Sequence, residues 1–168
     1  MNLQLLAQAI EAWPLSQHIV SSEWVFPTLE AVHVIAITTV IGTVALMDLR
    51  LLGLVGGSKV TEVSHDTLRW TWCAFAIALV TGSLLFISKA TTYTVNPYFG
   101  WKLVLIALAG VNMAVFHVLT WPGVGRWDAA TAGPRAAKIA GGLSLGLWVT
   151  VVFLGRMIGF TLDKFTAS

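Results

Sequence analysis

Histidine is the residue type here with the widest chemical reach, because neutral imidazole ligates haem iron and transition metals. The chain has four: His18, His33, His65 and His117. Glu30 stands one helical turn before His33, and positions i and i+3 share a helix face, as in carboxylate–histidine metal sites inside bundles. His18, in the preceding segment, would be a third ligand to a metal ion held by Glu30 and His33. For haem, Gly110 lies seven residues before His117. Seven steps of about 100° leave the two nearly in line, so a flat macrocycle has room above an axial histidine. Cations for haem propionates are Lys89, Lys102 and Arg156 toward one end, and Arg69, Arg126, Arg135 and Lys138 toward the other. Phe75, Phe86, Phe116 and Trp148 could wall a ring. Cys73 is the only cysteine, so the sequence has no CxxC or CxxCH motif, and a disulfide within the chain, covalently attached c-type haem and iron–sulfur clusters are excluded.

These groups must be positioned by membrane-spanning helices. Hydrophobic residues make up 57% of the 168-residue chain and charged ones only 11%, against roughly 25% in an ordinary soluble domain. The net charge of +2 is too mild to argue for nucleic acid, so the basic residues read as topology signals. Four segments are long enough to cross a bilayer, which takes about 20 helical residues: 25–54, 68–89, 100–121 and 134–162. Trp24, Trp70, Trp72, Trp101 and Trp121 fall at their boundaries, where indole prefers the headgroup level. Pro27, Pro97, Pro122 and Pro134 lie at helix starts and stops. Residues 3–12, apolar at mixed helical spacing and with no basic n-region, read as a short interfacial helix ended by Trp13-Pro14 rather than a signal peptide. The expected fold is all-α: one transmembrane domain over 1–168, an integral four-helix bundle preceded by that interfacial helix.

Four spans put both termini on one side. The connections after the first and third spans share the other side with six cations, against four at the terminal end. This excess favours termini outside, in the periplasm if the chain sits in a bacterial inner membrane. At 1.5 Å per residue His33 lies about 12 Å below the terminal end, and His117 about 25 Å along the third span, near the connection end. His65 precedes the second span and His18 the first. The histidines thus sort into a terminal-end pair, His18 and His33, and a connection-end pair, His65 and His117. Asp48 and Arg50 read as a boundary anchor, Asn112 as an interhelical clasp and Lys102 as a snorkelling residue. Gly142–Gly146 and Gly155–Gly159 are GxxxG pairs suited to close helix packing, including association of identical copies.

W-V-F-P-x-L-E-x-x-H at 24–33, D-L-R-L-L-G at 48–53, T-G-S-L-L-F at 81–86, Y-x-x-N-P-x-F-x-x-K at 93–102, G-x-N-x-x-x-F-H at 110–117, S-L-x-L-W at 144–148 and G-R at 155–156 form a pattern that resembles small, largely uncharacterised bacterial four-helix membrane proteins. More distantly it is similar to copper-resistance D-type membrane proteins and to four-helix di-haem b-type cytochromes. That likeness implies haem or copper, at Glu30, His33, Asn96, Lys102, His117 and Arg156. The expected function is therefore a b-type haem protein moving electrons to or from a redox partner the sequence does not name. A copper-handling protein using Glu30 and His33 is the alternative, and a structural subunit without cofactor is the third reading. No residue set identifies a catalytic reaction.

Overall fold

The computed structural model describes residues 3–131 and 133–165, apart from the side chain of Asp163. Among these the fold is all-helical, with four helices long and apolar enough to cross a membrane. The elements are α1 (Leu3–Glu11), α2 (Pro14–Ser21), α3 (Val25–Leu52), α4 (Val60–Ser88), α5 (Ala90–Val95), α6 (Pro97–Val115) and α7 (Arg135–Thr161). The four spans are α3, α4, α6 with its continuation to Arg126, and α7.

Three boundaries differ from the sequence reading. Pro14 does not simply end the N-terminal helix: its fixed φ and missing N–H suit a first helical turn, and it opens α2, so His18 is helical. The second span starts at Val60, a full two turns before position 68, because the Glu62 side chain accepts from Lys59 N–H in a capping box and Asp128 adds acceptors from another element. His65 therefore lies inside α4 instead of preceding it. The third span passes at Phe116–Thr120 into a π turn and at Trp121–Arg126 into a 3-10 turn. Pro122 causes this, since it cannot donate to the carbonyl four residues back and its ring crowds that carbonyl.

α3 packs along α4 on one flank and α7 on the other, and α7 packs along α6. The stacked rings of Phe86 (α4) and Phe99 (α6), 5.3 Å apart, close the circuit at one end, so α3 and α6 occupy opposite corners. The α4 seam is regular: Val60, Thr67, Ala74, Thr81 and Ser88, seven residues apart, are all buried. A seven-residue repeat keeps one face against a neighbour when helices cross with a left-handed supercoil. We call the end that carries α1, α2 and α5 the terminal end, and the other the connection end.

Each end is tied by a carboxylate acting as a helix cap from another element. At the terminal end Glu11 Oε1 accepts from the backbone N–H and hydroxyl of Thr91, both at 2.8 Å, in the first turn of α5. At the connection end Asp128 Oδ1 and Oδ2 accept from the N–H and hydroxyl of Thr61, both at 2.8 Å, in the first turn of α4. The best-packed apolar core also lies at the connection end: Leu51, Val60, Phe116 and Ala137, with Trp121 and Trp127 against them.

Candidate functional site

Each of the four spans contributes to one layer, about 8–12 Å below the terminal end by helical rise. From α3 comes His33, half-buried; from α4, Thr81 and Gly82; from α6, Lys102; from α7, Gly155. His33 Nδ1 lies 2.9 Å from Thr81 Oγ1. The threonine hydroxyl has one proton, and it donates this to the Ile77 carbonyl at 2.7 Å. With that proton so placed, the hydroxyl accepts from His33 Nδ1, and Nε2 has no hydrogen-bond partner among the described residues. Gly82 lets the ring lie against α4: a Cβ there would stand 2.9 Å from His33 Cε1.

Lys102 reaches the same layer from the opposite corner. Its Nζ would stand 3.6 Å from a Cβ on Gly155, and among the described residues it has no ion-pair partner. Lys102 is half-buried, and its Nζ stands against α7 at the depth of His33. Above the layer sit Phe86, Phe99 and Tyr93, with Tyr93 5.2 Å from Phe99 and 6.2 Å from Phe86. Burial, and then the negative charge of nearby Glu30, raises the Tyr93 phenol above its ordinary value, so it stays a neutral hydroxyl. The layer thus offers a free imidazole lone pair and an unpartnered cation below an aromatic rim. It can ligate a metal centre or hold an acidic group.

The other expected site residues are elsewhere. His117 is exposed, and its Nδ1 donates to the Met113 carbonyl at 2.9 Å beside Trp121. Gly110 is also exposed, with nothing within 4 Å of a Cβ placed on it. His65 is exposed next to Asp66. These contacts do not bring His65 and His117 together as the expected connection-end pair. His18 is exposed in α2, Glu30 is exposed at the rim, and Arg156 lies over the Phe160 ring of its own helix at 4.3 Å. Among the described residues no three His, Cys, Asp or Glu side chains form a set able to hold a metal ion, so Glu30, His33 and His18 do not converge. The Asn112 clasp is present, with Nδ2 donating to the Ala140 carbonyl of α7 at 3.0 Å. The buried Asn96 caps α6 by accepting from Tyr98 N–H, and its Nδ2 donates to Thr161 Oγ1 of α7 at 3.1 Å.

Asp48 and Arg50, expected as a boundary anchor, belong to the protein interior. Both are buried inside the protein, at 5% and 2% exposure, instead of anchoring its surface. Arg50 Nε donates to the Ser58 carbonyl at 2.8 Å and Nη2 to those of Asp128 and Ala130, at 3.3 and 2.9 Å. It thereby binds both connections at that end.

No curated protein and no solved structure gives a significant match to the chain. One family does match, over residues 23–161, which takes in α3 to α7 and with them His33, Thr81, Lys102 and Gly155, and leaves α1 and α2 outside. The protein is a four-helix membrane protein belonging to a family of unknown function, DUF6644.

Proposed function

We propose that this chain is a membrane-embedded b-type haem protein that passes electrons, with His33 as the axial ligand. One observation carries the reading: a histidine inside the bundle whose Nδ1–H is engaged by Thr81 and whose Nε2 is free. Ligating histidines commonly donate their second nitrogen to a fixed acceptor, which sets the tautomer and ring orientation. The donor set suits haem, which needs one or two axial nitrogens, better than a copper ion, which needs several ligands drawn together. Lys102 would hold a propionate, and the rings of Phe86, Phe99 and Tyr93 would wall the porphyrin. Haem supplies a one-electron centre, and the surrounding helices keep water from it. The terminal end faces the periplasm of a bacterial inner membrane in this reading, and the exposed Gly146 and Gly159 on α7 serve contacts between copies.

Detergent-purified protein is expected to show a Soret band and, after dithionite, sharp α and β bands, with about one haem per chain by pyridine assay. His33→Ala loses the haem, whereas His117→Ala keeps it, because His117 lies on the outside of the bundle. A colourless protein without haem would overturn the reading. Stoichiometric copper lost in His33→Ala would replace it with copper handling, and neither haem nor metal would leave a structural subunit.

A further inference from the structure

At the connection end, about 22 Å along α3 from His33, Asp48 sits where α3 and α7 approach closely. A Cβ on Gly141 would stand 3.1 Å from the Asp48 carbonyl oxygen and 3.2 Å from Leu51 Cβ. The Asp48 side chain is 5% exposed, and its Oδ2 is buried with no hydrogen-bond donor. Ser144, three residues on from Gly141 along the same face of α7, is half-buried. Among the described residues no cation forms an ion pair with the Asp48 carboxyl. Arg50 follows two residues later, a step of about 200° round the helix, and its Nε and Nη2 go to the carbonyls of Ser58, Asp128 and Ala130. Arg135 and Lys138, in the first turn of α7, are exposed at the rim. On α4 the exposed charges are Glu62, Asp66 and Arg69, with His65 among them. Among the described residues none of these makes an ion pair with Asp48.

An unpaired carboxylate inside a membrane protein carries a large desolvation cost, and a proton is the smallest ligand that removes it. We propose that Asp48 is a proton-binding site opening on the connection end, its carboxyl exchanging one proton with the water on that side. The exchange is a plain acid–base step: the carboxylic acid releases H⁺ to water and becomes carboxylate, with no redox partner needed. The distance to that side is short, since Asp48 lies four residues, or about 6 Å, from the last residue of α3. The rival arrangement is a permanent carboxylate joined by a buried water to Nη1 of Arg50, which is likewise buried without an acceptor. This site uses none of the residues assigned to haem.

The two arrangements differ in the infrared. Full-length protein in detergent, wild type against Asp48→Asn, should give at neutral pH a difference band in the carboxylic acid C=O region that moves in D₂O and converts to carboxylate bands in alkali. The band should correspond to one carboxyl per chain. Carboxylate bands alone, across the titration, would overturn the proposal in favour of the water-bridged pair. If Asp48→Asn does not fold, wild type labelled with ¹³C at aspartate carboxyls gives the same reading. An acid band that moves with the label at neutral pH, in wild type and in Asp163→Asn alike, supports the site, because Asp66 and Asp128 lie outside the core. A labelled protein showing only carboxylate overturns it.

Discussion

At the scale of single residues, the tautomer of one histidine decides what the interior layer can do. Thr81 receives the Nδ1 proton of His33, so Thr81→Val, nearly equal in shape, removes that acceptor and leaves the ring free to turn. If His33 holds haem as proposed, losing such a supporting partner is expected to weaken binding at Nε2 by about 10–100-fold, read as a lower affinity on titration with haem, with helical content unchanged. Gly82→Ala acts on the same ring by sterics. A methyl 2.9 Å from Cε1 forces the imidazole off α4, and overpacking of this kind costs about 1–3 kcal/mol, visible as a lower Tm in detergent. His33 and Lys102 were legible in the sequence because a polar side chain stands out in an apolar run. Thr81 was not. Thr38, Thr39, Thr43, Thr67, Thr71 and Thr150 also donate to the carbonyl four residues back, so a threonine in a span carries no mark of a second role. The burial of Asp48 and Arg50 leaves no such mark, because sequence gives depth along a helix and not whether a neighbour covers the side chain.

At the scale of helices, the glycines of α7 show what periodicity conveys and what it omits. GxxxG spacing marks Gly142 and Gly146, yet α3 presses on Gly141, one residue away. A Cβ on Gly142 would meet only Leu52 Cδ2 at 3.8 Å, and one on Gly146 would meet nothing within 4 Å. The rotation of a helix about its axis follows from side chains on every neighbour, which no single segment encodes. Gly141→Ala is therefore expected to push α7 from the Asp48 backbone and lower Tm, at a cost of about 1–3 kcal/mol, while Gly146→Ala leaves Tm unchanged or slightly raised. Equal effects would mean that the seam lies elsewhere. The second span was read short for a related reason. Its first two turns contain Glu62, His65 and Asp66, too polar for a membrane-length apolar run, and they are helical because caps from Lys59–Glu62 and Asp128 satisfy the first N–H groups.

Across the whole molecule, the four spans share thin seams of small residues, and polar ties at both ends hold the connections to them. Arg50 and Asp128 act as a unit at the connection end: Arg50 gathers backbone carbonyls from both connections, while Asp128 joins the α6–α7 connection to the start of α4. Val60 N–H also donates to the Asp128 carbonyl, so one residue secures α4 by side chain and backbone together. The Thr61 N–H, first, and then its hydroxyl and the charge of Lys59 hold the Asp128 carboxyl below the usual carboxylate range. In the unfolded chain that carboxyl reverts to an ordinary value near about 3.9. A carboxyl whose folded value is the lower one stabilises the fold fully above the unfolded value, and loses that contribution as pH falls through the folded value. Wild-type protein should accordingly lose stability in acid over a window below about pH 3.9. Other carboxylates titrate there too, so the measurement is a difference. Tm against pH is compared with Asp128→Asn, which keeps an acceptor for Thr61 N–H but has no proton to take up. The gap between the curves should be constant above the window and close as pH drops through it. A gap that persists unchanged into acid would mean that Asp128 ties the connection by shape alone, with its charge contributing nothing to how the bundle is closed at that end.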